Sequence, residues 1–190
     1  MKKHATIAFP DASTIKIDAM KIFISLALMA CLAMGCTKED AAAEELSTCA
    51  GSAGFANIEN KISVSQGIYG TISFTEGNCM PGPGPRDCST CPVSRTVKIY
   101  RYTTNNDATR ASNHVANFYE RFTTELVAET KSDANGFYQL TLPPGTYTMV
   151  VVEKGLLYAE LGDGQGGIQP ITVATGKTEV NFGIKYKAAF

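Results

Sequence analysis

Residues 132–153, SDANGFYQLTLPPGTYTMVVVE, constrain the fold more than any other stretch of this chain. Asn135 and Gly136 suit the two left-handed positions of a type I′ turn, and strand-forming residues flank them, so a tight hairpin is predicted there. Pro143 and Pro144 lack the N–H that a ladder needs. Gly145 then releases the chain into the apolar run at 147–152, a second strand.

The same grammar recurs on both sides. At 67–74, Ile68, Gly70, Ile72 and Phe74 alternate with Tyr69, Thr71 and Ser73, which predicts a half-buried strand. Further strands are predicted at 95–102, 122–131, 137–142, 145–153, 170–174 and 178–186, the last with Val180, Phe182 and Ile184 on one face. Residues 77–92 hold Pro81, Gly82, Pro83, Gly84 and Pro85 with three cysteines, so no regular element is expected through them. The polar stretch at 103–117 reads as a long loop carrying at most one helical turn. Loops of that length are uncommon in compact domains unless they work. Seven short strands with almost no helix predict an all-β, seven-strand antiparallel sandwich over residues 61–190. A domain of that size can bury its own core.

Gly67-Ile68-Tyr69-Gly70, Val97-Lys98-Ile99-Tyr100, Asp133 with Asn135-Gly136-Phe137-Tyr138, and Leu142-Pro143-Pro144-Gly145-Thr146-Tyr147 together resemble the carboxypeptidase regulatory-like domain. The likeness covers about 67–186 and is most specific over 133–147. It implies a transthyretin-like (prealbumin-like) sandwich acting as a non-catalytic accessory or binding module, with no catalytic residues to carry over. The cysteine-bearing Pro/Gly loop and the insertion after Tyr102 depart from the family pattern.

The N-terminus points to an address. Residues 22–35 form an apolar run of 14 residues after Lys21, too short to span a bilayer and of signal-peptide length. Met20-Lys21 begins a complete compact signal, so translation is expected to start at Met20. Ala33-Met34-Gly35-Cys36 resembles the lipobox of bacterial lipoproteins, as does Leu28-Met29-Ala30-Cys31. Cys36 is preferred because the apolar run ends there and Thr37-Lys38-Glu39-Asp40 follows. That Lys with two acids resembles the tag that sends lipoproteins of Bacteroidetes to the outer face of the outer membrane. An ordinary cleaved secretory signal is the alternative. The expected layout is a lipoprotein signal at 1–36, a flexible tether at 37–60 and the sandwich at 61–190, held to the cell envelope through acyl chains on Cys36 and displayed outward. After residue 36 there remain 13 basic and 16 acidic side chains, a formal charge of −3, unsuited to nucleic acid or to anionic headgroups.

With Cys31 in the signal and Cys36 as the lipid site, Cys49, Cys79, Cys88 and Cys91 remain. An even count in an exported chain favours disulfides, and three complete pairings stay open. Cys88-Ser89-Thr90-Cys91 also has thioredoxin-motif spacing. It sits in an irregular loop with no following helix to lower a thiol pKa, so an exported thiol–disulfide redox protein is the runner-up. A zinc site using the same Cys88/Cys91 spacing would need four ligands, and His114 is the one histidine after the signal. Neither His114 with Glu120 nor the glycine-rich run at 162–167 has the partners of a catalytic or calcium site. No cofactor is expected. Strict alternation cannot bury all of Tyr69, Tyr100, Tyr102, Phe118, Tyr119 and Tyr158; such aromatics anchor protein or glycan ligands and just as commonly form core rims, so they are not assigned as a site. The expected contact surface is the Pro/Gly/Cys loop together with the insertion after Tyr102. A subunit of an outer-membrane complex, joined through a sheet edge, is a third reading.

Overall fold

Alternation at the start of the sandwich builds its longest strand, β1 (Gly67–Asn78), which buries Ile68, Ile72 and Phe74 completely. The computed structural model describes residues 49, 54–83, 87–112 and 117–190. The expected signal, Met20, Cys31, Cys36, most of the 37–60 segment and His114 lie outside the described residues. After β1 come β2 (Ser89–Pro92), β3 (Thr96–Arg101), β4 (Ala108–Arg110), β5 (Phe118–Phe122), β6 (Leu126–Lys131) and β7 (Phe137–Leu140). The chain ends with β8 (Gly145–Glu153), β9 (Leu156–Tyr158), β10 (Pro170–Val173), β11 (Lys177–Glu179) and β12 (Phe182–Ala189).

The fold is all-β, in two sheets. β1 is the centre of the five-stranded sheet, paired antiparallel to β7 and then β2 along one edge. Along its other edge it pairs with β11 and then β12, both parallel, which corrects the expectation of a purely antiparallel body. The expected last strand is also split in two. Thr71 donates both its N–H and its hydroxyl to the Asn181 side-chain oxygen, so an amide replaces the backbone in the ladder between β11 and β12. The second sheet has seven strands. β3 lies between β6 and β8, and β8 pairs first with β10 and then with β9, from which β5 and β4 extend.

The Asn135–Gly136 turn is not a hairpin. β6 belongs to the seven-stranded sheet and β7 to the five-stranded one, so the chain crosses between layers here. Asp133 explains the geometry: its carboxylate accepts the N–H groups of Asn135 at 2.8 Å and Phe137 at 3.0 Å, and its carbonyl accepts that of Gly136. Gly136 alone of the pair is left-handed, φ 75°, and a Cβ there would stand 2.4 Å from the Ile72 carbonyl oxygen. The two-residue turn with both residues left-handed is at Lys154 (φ 54°) and Gly155 (φ 75°), joining β8 to β9.

The two inner faces meet in one apolar core. Ile68, Ile72, Phe74, Phe182 and Ile184 from the five-stranded sheet pack with Val97, Ile99, Met149, Val151 and Tyr158 from the other. β8 is apolar on both sides because it is covered on both. Its outward Val150 is fully buried in a second cluster with Tyr119, Leu157, Ala159 and Ile168. The insertion after Tyr102, expected as a loop, supplies that cover through β4 and β5, with the Phe122 ring 5.1 Å from that of Tyr100. Tyr147 donates its hydroxyl to the Pro143 carbonyl at 3.1 Å, fixing the second crossing between layers.

Candidate binding surface and its cysteine frame

Two bridges join the four cysteines that follow Cys36. Cys49 bonds to Cys91 and Cys79 bonds to Cys88, with Cα separations of 5.3 and 4.8 Å. Cys91 faces the core from β2, opposite Phe74, and Cys49 is buried beside it. Cys88 is exposed, at the end of the loop that joins β1 to β2. Cys88 and Cys91 therefore belong to different bridges, and the Cys-x-x-Cys pair is not bonded to itself. Cys49, placed by the sequence in a tether where it could have stayed free, is held: its N–H also donates to the Glu76 carboxylate at 2.9 Å.

From Gly54 the chain runs along the outer face of the five-stranded sheet. Residues 54–66 form a strap with a single 3₁₀ turn, Glu59–Lys61. Gln139 on β7 clamps it by accepting the N–H groups of Ser63 and Val64 and donating to the Lys61 carbonyl and the Ser63 hydroxyl. Lys61 also pairs with Asp133 at 2.7 Å. Gln66 closes the strap's far end through Leu142, Ala174 and Gly176.

The two loops expected to share one contact surface lie at opposite ends of the sandwich. The Cys79–Cys88 loop leaves from the end of β1. Gly67, where β1 starts, abuts Leu140 and Leu142, from which the chain passes directly to the start of β8. Arg101 at the end of β3 pairs with Tyr147 near that same start, so the insertion leaves from the end where β1 begins.

At that end the segment after Tyr102 and the glycine-rich run are locked together. Thr103 and Thr148 are fully buried and form the hub: the Thr103 N–H donates to the Thr148 hydroxyl at 2.9 Å, which donates to the Ile168 carbonyl. Asn105 donates its N–H to Gly166, and Thr104 bridges Gly167. In the glycine-rich run, the Asp163 carboxylate accepts the Tyr102 hydroxyl and the N–H groups of Gln165 at 2.8 Å and Gly167 at 2.9 Å. The Tyr102 bond first, and then the backbone donors, hold the Asp163 carboxyl below its ordinary range; the same bond pushes the Tyr102 phenol up. Asp107 is held low as well, by the hydroxyl and N–H of Thr104. These carboxylates serve as acceptors for the loops' own donors, so the surface is pre-shaped.

Of the six aromatics singled out, Phe118, Tyr119 and Tyr158 are buried, Tyr69 and Tyr100 half-buried, and Tyr102 exposed beside Asp163. Glu120 is an exposed residue of β5. Sequence reasoning missed the Tyr102–Asp163 contact and the buried Arg95–Glu153 pair. An Asp inside a glycine-rich run signals a turn carboxylate, but nothing local names its partner 61 residues away. Among the described residues no group of three or more His, Cys, Asp and Glu side chains is placed to hold a metal ion. Searches against family models, curated proteins and solved structures find no match to the chain.

Proposed function

We propose that this chain is an exported lipoprotein, acylated at Cys36, whose β-sandwich serves as a non-catalytic binding module of the cell envelope. The observation that carries the reading is the pairing of all four remaining cysteines in two bridges, which fits an oxidising compartment. The lipobox-like Ala33-Met34-Gly35-Cys36 supplies the anchor. Pairing Cys88 and Cys91 with different partners counts against the redox alternative, which needs them as one dithiol couple.

The finer assignment, a transthyretin-like domain of the carboxypeptidase regulatory-like family, is supported by how the expected strands divide. β7, β1 and β11–β12 form one layer, and β6, β3, β8 and β10 follow in that order in the other. The bridge at Cys49 gives the reading a direction. Twelve residues lie between Cys36 and Cys49, so the thirteen steps reach at most about 45 Å. Cys49 is held near the end of β1, so the loop cluster around Tyr102 and Asp163 is the end expected to face away from the membrane and to meet a protein or glycan ligand.

Metabolic labelling with an alkyne fatty acid tests the anchor. Label is expected on the wild-type chain and absent from Cys36→Ser. A chain that takes no label, or keeps it after that substitution, overturns the lipid reading.

A further inference from the structure

Beneath the strap, on the outer face of the five-stranded sheet, lies an open groove of about 450 Å³. Its apolar walls are Phe55, Ile58 and Ile62 from the strap and Tyr69 from β1, and its carboxylates are Glu59 and Glu179. The volume falls within the roughly 300–1,000 Å³ of small-molecule sites, room enough for a long side chain. Phe55 leaves half of its surface, 51%, to solvent, although residues on both sides of the strap are tied down.

The charge is one-sided. Four ion pairs occur among the described residues, and neither Glu59 nor Glu179 belongs to any of them. Lys61, the lysine of the strap's 3₁₀ turn, is engaged by Asp133. Glu179 lies directly opposite Tyr69 in the register, so a carboxylate and a phenol ring stand side by side on the groove floor. Glu179 accepts the Asn181 side-chain N–H at 2.9 Å on one oxygen and has no ion-pair partner among the described residues. Aromatic faces and carboxylates without an ion-pair partner attract the same kind of group, a cation on an aliphatic stem.

We propose that this groove binds lysine or arginine side chains from an extended basic segment of a partner polypeptide, with Glu59 and Glu179 meeting the charge and Phe55 and Tyr69 covering the stem. The proposal rests on the reading of the sandwich as a binding module and is independent of the lipid anchor. It places the grip on the outer face of the five-stranded sheet rather than in the Tyr102–Asp163 loops.

The test uses the full chain in non-ionic detergent with a fluorescein-labelled tetralysine peptide, followed by fluorescence anisotropy, with tetraglutamate and tetraalanine peptides as controls. Saturable binding of tetralysine alone is expected, weakened at least tenfold in the Glu59→Gln/Glu179→Gln double variant and in Phe55→Ala, and unchanged in Glu120→Gln. Urea midpoints equal to wild type verify that the variants fold. The proposal is overturned if tetralysine does not saturate, if the double variant binds as wild type does, if Glu120→Gln weakens binding equally, or if tetraalanine binds as tightly. Failure here leaves the fatty-acid labelling result untouched.

Discussion

Arg95 Nε donates to Glu153 Oε2 at 2.6 Å, with side chains only 11% and 1% exposed, where the second sheet meets the core. Tyr186 donates its hydroxyl to the other carboxylate oxygen at 3.0 Å, and Arg95 also donates to the Ser94 carbonyl. Removing one partner of a buried pair strands the other's charge. Glu153→Gln is expected to destabilise the fold by about 3–5 kcal/mol, and the apolar double change Arg95→Met/Glu153→Leu to recover most of that. Urea unfolding measures both, and a loss under 1 kcal/mol for Glu153→Gln would show the pair to be incidental.

The two bridges should differ in reactivity and in contribution. Exposed Cys88 makes the Cys79–Cys88 bridge the first to open under mild reductant, while buried Cys49–Cys91 waits for unfolding. Alkylation followed by peptide mass mapping would expose the reverse order. By chain-entropy reasoning, the 42-residue separation of Cys49 and Cys91 contributes about 4 kcal/mol and the 9-residue separation of the other about 2.5 kcal/mol. Paired Cys→Ala variants compared by thermal unfolding rank the two.

Gly136 and Gly155 share a left-handed backbone but differ in their surroundings. At Gly155 nothing lies within 4 Å of an added Cβ, so Gly155→Ala is expected to cost only the backbone penalty, about 1–2 kcal/mol. Gly136→Ala must also displace the Ile72 carbonyl, to which the chain is bound by the Ile72 N–H donating to the Gly136 carbonyl at 2.8 Å. Its loss should be clearly the larger; equal midpoints in urea would contradict the close approach.

Alkaline pH should unfold the domain through the buried phenols of Tyr138 and Tyr158 and the half-buried one of Tyr186. Burial pushes the Tyr158 phenol from its ordinary 10 up to about 12, and burial also raises Tyr138 and Tyr186, the latter helped by the Glu153 charge. A folded chain that keeps protons the unfolded chain gives up above pH 10 is stable below that pH and loses stability as pH rises beyond it. Absorbance at 295 nm should therefore show these three of the eight tyrosines ionising only together with loss of the native circular dichroism. Simple titration of all eight near pH 10 with the fold intact would refute this.

Strand positions were legible where one face is buried, as in β1 and β3, because period-two alternation is written there, and at β8, covered on both faces, because its apolar run is continuous. All seven expected segments contain strand. β9, with the three residues Leu156–Tyr158, is too short to alternate, although Lys154-Gly155 between two apolar runs is itself a hairpin signal, and β2 forms at 89–92, where no regular element is expected from the Pro/Gly pattern, because it pairs with β1. The partnership of β1 with β11 and β12 joins residues some 110 apart, and no local pattern encodes it. The Asn135-Gly136 reading failed for a nearer reason, since Asp133 two residues earlier offers its carboxylate to the same N–H groups and imposes another turn. At the loop end, Tyr102 and Gly162–Gly167 were each singled out, but what unites them is a hub of two threonines that look like ordinary strand residues.

The shorter cysteine ring lies inside the longer one, which spans residues 49–91. A protease that nicks any peptide bond between residues 54 and 90 therefore releases no fragment. Whatever precedes Cys49 stays covalently joined to everything after Cys91, and a single cut would appear as two bands only on a reducing gel.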